Sequence, residues 1–203
     1  MGAMDELINS SVVTELRSIL MSAEPNIELP TLERSRDLLG GQRLRQRVDV
    51  VRDALLEDLP AGYLAVEKVM LDSLDDPRFT GWMVWPATEV VTGRALQSAS
   101  LADFDAALAI LSRLTSRLTG EFAIRDLIAA RPERAIATMQ TWTNHDDENV
   151  RRLATEALAL TCRGPKEFLG LWPIQQQRRG SWMPPIKIPP NTFGVPRRTI
   201  STI

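Results

Sequence analysis

At 203 residues the chain is long enough to bury one substantial core, so a single domain with at most an appendage is expected. One cysteine, Cys162, and one histidine, His145, exclude an intramolecular disulfide framework, a cysteine-built metal site and a histidine-rich one. The formal net charge of −2 conceals a division, because residues 1–162 carry 17 Lys+Arg against 25 Asp+Glu while residues 163–203 carry 7 against 1. An acidic body argues mildly against a nucleic-acid partner, yet affinity follows the local field and not the total.

The N-terminus is acidic at Asp5-Glu6 and lacks the basic and apolar regions of a signal peptide. No apolar run approaches the about 18 residues that span a bilayer. A soluble protein in a reducing, cytoplasmic setting is expected, without a membrane partner.

A first helix is predicted from Asp5 to Met21, with Leu7, Ile8, Val12, Leu16, Ile19 and Leu20 as its apolar stripe. A short second helix, Leu32 to Leu39, meets Gly40-Gly41, which suits a left-handed cap. The third, Gln42 to Leu59, buries Leu44, Val48, Val51 and Leu55, leaves Arg43, Arg45, Arg47 and Arg52 at other positions, and ends at Pro60. A fourth runs from Ala61 to about Leu74 with Tyr63, Val66 and Met70, before the turn Asp75-Asp76-Pro77.

In the following stretch, residues 79–91, Trp82 and Trp85 lie on one side of a turn and precede Pro86 in the first turn of another helix. Ser100-Leu101-Ala102-Asp103 has the form of a capping box and opens a helix bearing Phe104, Leu108, Leu111 and Leu114. Residues 117–160 hold three more helices: one through Glu121-Phe122-Ala123-Ile124-Arg125, one beginning at Pro132 with Ile136, Met139 and Trp142, and one from near Asp146 with Val150, Leu153, Ala154, Ala157 and Leu158. No strand signal appears up to residue 160. The pattern predicts an all-α fold, a HEAT-like repeat α-solenoid of antiparallel helix pairs over residues 1–162, with a loose period of about 35 to 40 residues.

After Cys162 the composition changes. Residues 163–203 hold 7 of the 13 prolines, few acids and no helical period, and are read as an irregular, basic, Pro-rich C-terminal tail that Trp172 and Trp182 dock locally. Its pairs Arg178-Arg179 and Arg197-Arg198 are read as solvated charge.

At Leu118-Thr119-Gly120-Glu121-Phe122-Ala123-Ile124-Arg125, then Pro132-Glu133-Arg134, then His145-Asp146-Asp147-Glu148-Asn149-Val150-Arg151-Arg152-Leu153, the sequence resembles the DNA alkylation repair glycosylases of the AlkC/AlkD type, with the greater likeness to AlkC. The upstream Trp85-Pro86 fits as well. The likeness covers roughly residues 4–160 and is strongest over 117–156. It implies a monomeric helical solenoid that cradles alkylated double-stranded DNA on a concave face and cleaves the N-glycosidic bond of cationic N3-alkylated bases such as 3-methyladenine, with no metal and no cofactor. Two features depart from the family: Asp126 stands in place of proline, and the continuation Gly-x-Arg-Pro-Arg-Leu-Pro-Trp is absent after Glu156-Ala157. One reading of that break is a truncated or frame-shifted C-terminus.

A base alkylated at N3 is a cation and a good leaving group, so the task is to stabilise an oxocarbenium-like sugar and position water. A buried carboxylate and aromatic faces suffice. By this reasoning Glu121 is the candidate catalytic carboxylate, although Arg117 and Arg125 at four residues either side also suit an ordinary surface ion pair. Trp85, Trp82 and Trp142 are candidates to contact the lesion or the sugar, Trp85 first because it stands at a helix start, although a tryptophan at helical spacing more often belongs to a core. Arg151, Arg152 and Arg125 are candidate DNA contacts; Glu148 is placed to pair with Arg152, and Arg151 lacks such a partner. His145 reads as a capping or surface residue of its turn. The alternative function is a noncatalytic HEAT-like scaffold that binds a protein or undamaged DNA.

Overall fold

The computed structural model describes residues 3–162, with side chains for residues 4–159. The predicted tail at 163–203, with Trp172, Trp182 and its arginine pairs, lies outside the described residues. Nine α-helices and no strand occur among the described residues: α1 (Ser10–Ala23), α2 (Pro30–Ser35), α3 (Leu44–Asp58), α4 (Tyr63–Ser73), α5 (Val84–Ser98), α6 (Leu101–Leu114), α7 (Glu121–Ala130), α8 (Pro132–Trp142) and α9 (Glu148–Cys162).

They form hairpins, α2 with α3, α4 with α5, α6 with α7 and α8 with α9. The second members stack in sequence order into one layer, α3 against α5, α5 against α7 and α7 against α9. Behind it α4 packs on both α1 and α6. This is the expected all-α, HEAT-like arrangement of antiparallel pairs, in which each pair buries its apolar stripe against the next. The layer begins anew at residues 44, 84, 121 and 148, so the repeat shortens toward the last pair.

The central member, α5, is buried from Val84 to Gly93, as befits a helix packed on α3, α4, α6 and α7. It runs straight through Gly93 and ends at Ala99 in the left-handed region, with φ of 56°. A 3₁₀ turn, Gly81–Met83, leads into it and sets Pro86 in the first turn, where a missing N–H costs nothing.

Several helix starts are capped from elsewhere in the chain. The predicted first helix, Asp5 to Met21, is in fact two elements: a 3₁₀ turn, Ala3–Leu7, and α1, which Asn9 caps by accepting from the N–H groups of Ser11 and Val12 at 3.0 and 3.1 Å. Asp5 is drawn away to accept from Leu44 N–H at 2.9 Å and so caps α3. Asp58, at the end of α3, accepts from Thr31 and Leu32 N–H at 3.1 and 2.8 Å and caps α2. The second helix likewise breaks after Ser35 into a 3₁₀ turn, Arg36–Leu38, before Gly41 takes a φ of 75°. Ser100 accepts from Asp103 N–H at 3.3 Å, which is the forward half of the expected capping box.

Candidate nucleic-acid interface

Trp85 and Phe122 start neighbouring helices of the same layer. Their rings stack with centroids 4.1 Å apart and planes 18° from parallel. Trp82 meets Trp85 at 6.0 Å and a 48° tilt, so the two tryptophans predicted to share a side do so. Trp85 is only 7% exposed, whereas Trp82 is half-buried. Two guanidinium groups border the aromatic group: Arg45 Cζ lies 5.6 Å from the Trp85 ring centre and Arg125 Cζ 5.4 Å from that of Phe122. The order Arg45, Trp85, Phe122, Arg125 therefore links α3, α5 and α7.

Glu121 is the first residue of α7, where a carboxylate also meets the favourable end of the helix dipole. It pairs with Arg125 at 3.3 Å, and the two side chains are 28% and 27% exposed. Arg117, the other possible partner, instead donates to the carbonyls of Leu74 and Pro77 and ties α7's approach to the end of α4. Asp126, which departs from the resembled motif, is buried inside α7, which continues unbroken to Ala130.

The arginines of α9 are arranged differently from expectation. Arg151 does not lack partners: its Nη1 donates to the carbonyls of His145 and Asp146 at 2.6 and 2.7 Å, folding back over the turn that precedes α9. Arg152 pairs with Glu156, one turn later in α9, at 3.6 Å and not with Glu148. His145 serves its turn, with Nδ1 accepting from Asp147 N–H at 3.0 Å, and Trp142 joins the core. Beneath this surface, Thr119 Oγ1, Arg125 Nε and Glu156 Oε2 are buried atoms with no hydrogen-bond partner. So Trp85, Trp82, Glu121 and Arg125 come together through Phe122, while Arg151 and Arg152 are engaged along α9.

Sequence reasoning missed a charged group behind Trp85. Glu89, 3% exposed, accepts from Trp85 Nε1–H at 3.0 Å and receives Arg45 at 2.5 and 2.9 Å and Arg52 at 3.1 Å. Asp49 bridges the same two arginines, and Asp53 holds Arg52 at 2.7 Å. Burial alone would depress the pKa of Arg45, but its bonds to Glu89 and then Asp49 outweigh it and hold the group above its ordinary value. For Arg52 burial is again outweighed, by the charges of Asp53, Glu89 and Asp49. A signal existed: Glu89 is the lone charge in residues 79–93, one turn after Trp85, and Arg45, Asp49 and Arg52 share a face of α3 by their spacing.

No cluster of three or more His, Cys, Asp or Glu side chains suited to a metal occurs among the described residues, and no helix there is long and apolar enough to cross a membrane. An open cleft between α1 and the end of α4 is lined by Asp72, Asp75, Asp76 and Arg78 and contains none of the predicted site residues.

Comparison with known proteins agrees with this architecture. No family model matches the chain. A solved structure described as Pseudomonas fluorescens alkylpurine DNA glycosylase AlkC bound to DNA containing an abasic site analog superposes with a TM-score of 0.67 over 77% of this chain, at 24% identity. The two share a fold. The match takes in 43% of the AlkC chain. In sequence, YhaZ of Bacillus subtilis (strain 168), described as an uncharacterized protein, is 27% identical over 162 residues, 77% of this chain and 42% of its own length. The chain thus spans less than half the length of either protein.

Proposed function

We propose that this chain is a DNA alkylation repair glycosylase that excises cationic N3-alkylated bases, such as 3-methyladenine, from duplex DNA. The observation that carries this reading is the gathering of Glu121, Trp82, Trp85, Phe122 and Arg125 on one helix layer of a fold shared with an alkylpurine DNA glycosylase. In this reading Glu121 stabilises the positive charge that develops on the sugar as the base departs, and water completes the hydrolysis at the anomeric carbon. The half-buried Trp82 and the edge of the Trp85–Phe122 pair offer the cationic base an aromatic surface. Arg151 and Arg152 reach phosphate by exchanging their present partners, carbonyl oxygens and Glu156, for phosphate oxygens.

The test is release of 3-methyladenine from methylated duplex DNA under single-turnover conditions. Glu121→Gln should lower the rate on the order of 10²-fold, the size of a lost electrostatic contact in a transition state. No release above background by the wild-type chain would overturn the reading.

A noncatalytic scaffold is the second reading. It is favoured by the engagement of Arg125, Arg151 and Arg152 with groups of the chain itself. Binding to undamaged DNA or to a protein without any base release would support it.

A further inference from the structure

Glu89 is a carboxylate in the most enclosed helix of the molecule; its neighbour Arg52 is also withdrawn from water, while Arg45 reaches it from a half-buried position. Packing alone does not call for it, since apolar side chains of similar volume generally serve a core as well as a buried ion network does. What the network adds is direction. An indole held only by packing can turn about its side-chain bonds, whereas the N–H of Trp85 is fixed on a Glu89 oxygen at 3.0 Å. That oxygen is itself held by Arg45 at 2.5 Å, and Arg52 holds its fellow at 3.1 Å. The indole so fixed is the face on which Phe122 stacks, and Phe122 follows Glu121 in the first turn of α7.

We infer that Glu89 is a positioning residue: it locks the Trp85 indole, and through the Trp85–Phe122 stack it holds the first turn of α7, and with it the Glu121 carboxylate, in place. This rests on the function proposed above for Glu121. The effect passes through an aromatic pair, so it differs from general support of the core.

Three variants test it. Glu89→Gln keeps the volume and an acceptor for the indole but cannot balance two arginines. Trp85→Phe keeps a ring against Phe122, deletes the N–H and leaves every charge in place, so it carries the test if Glu89→Gln does not fold. Val91→Ala, buried in the same helix, is the control for lost packing. Two quantities are read: hydrogen exchange at the Ile124 amide, whose bond to the Gly120 carbonyl at 3.0 Å closes the first turn of α7, and single-turnover base release alongside the dissociation constant for methylated duplex. Glu89→Gln and Trp85→Phe should each speed Ile124 exchange beyond the control. Glu89→Gln, which touches no part of the proposed base surface, should slow release at least about tenfold with affinity within twofold, since a misplacement of about 1 Å costs on the order of 10²-fold; Trp85→Phe should slow release at least as much. Glu89→Gln should add nothing in the Trp85→Phe background. Exchange equal to the control, or additive rate losses, would overturn the inference. If the wild type releases no base, the glycosylase reading fails separately, and the Ile124 amide still decides whether Glu89 holds α7.

Discussion

Two carboxylates one helix apart illustrate how environment assigns roles to chemically similar residues. Glu121 is at a helix start, partly exposed and shared with a single arginine, which leaves it free to face a ligand. Glu89 is enclosed and bound to two arginines and an indole, which commits it to structure. Removing it should therefore be costly: Glu89→Ala strands Arg52, 2% exposed, without one of its counter-charges, and a loss of about 3 kcal/mol or more is expected in denaturant unfolding. A loss under about 1 kcal/mol would mean that Asp49 and Asp53 alone suffice. The identity of Glu121 as a candidate was legible from its motif, but its partner was not. Both Arg117 and Arg125 lie one turn away, and only the path of the chain after α6, which carries Arg117 to the end of α4, separates them.

At the scale of the element, helix existence was legible and helix ends were less so. Apolar period, together with Pro86 and the residues 121–125, placed the nine helices of the described residues approximately, yet the ends depend on caps that arrive from distant residues. Asp58 caps α2 from 26 residues away, and no local pattern announces it. Asp58→Ala should cost about 1 kcal/mol, as loss of a cap does elsewhere, measured by thermal or denaturant unfolding. The glycine pair after α2 makes a sharper contrast. Gly41 sits at a φ of 75° and Gly40 does not, although neither would meet an obstacle on gaining a Cβ. Gly41→Ala should thus destabilise by about 1 kcal/mol from backbone strain alone, while Gly40→Ala should be close to neutral. Equal effects at the two positions would contradict that assignment.

Over the whole molecule, the layer α3–α5–α7–α9 gathers groups from well-separated parts of the sequence. Charge on this layer is largely paired: Arg45 and Arg52 with Glu89 and Asp49, Arg125 with Glu121, Arg152 with Glu156. Under the proposed glycosylase reading a duplex would draw on these cations, and affinity should fall steeply with salt, with a logarithmic slope near −0.9 for each phosphate neutralised. Replacing Arg151 or Arg152 by Gln should lessen that slope by about 1 apiece in a titration with duplex DNA. A response that is flat in salt would favour the scaffold reading and a protein partner.

Read alone, the sequence determined that the body is built of helices, in roughly what order, and which linked motifs resemble alkylation repair glycosylases. Such features are local: an apolar stripe, a proline in a first turn, a run of motif residues. Which charges are neighbours was decided only by the tertiary structure. Glu89 meets Arg45 from 44 residues away, and Trp85 meets Phe122 across a helix pair. Arg151 turns back on its own approach, and that depends on the conformation of the 145–147 turn. Spacing along one helix limits which pairs can form, but the choice between an adjacent carboxylate, a carbonyl and a ring on another helix follows from how the helices pack, because burial makes the satisfied arrangement the one that persists.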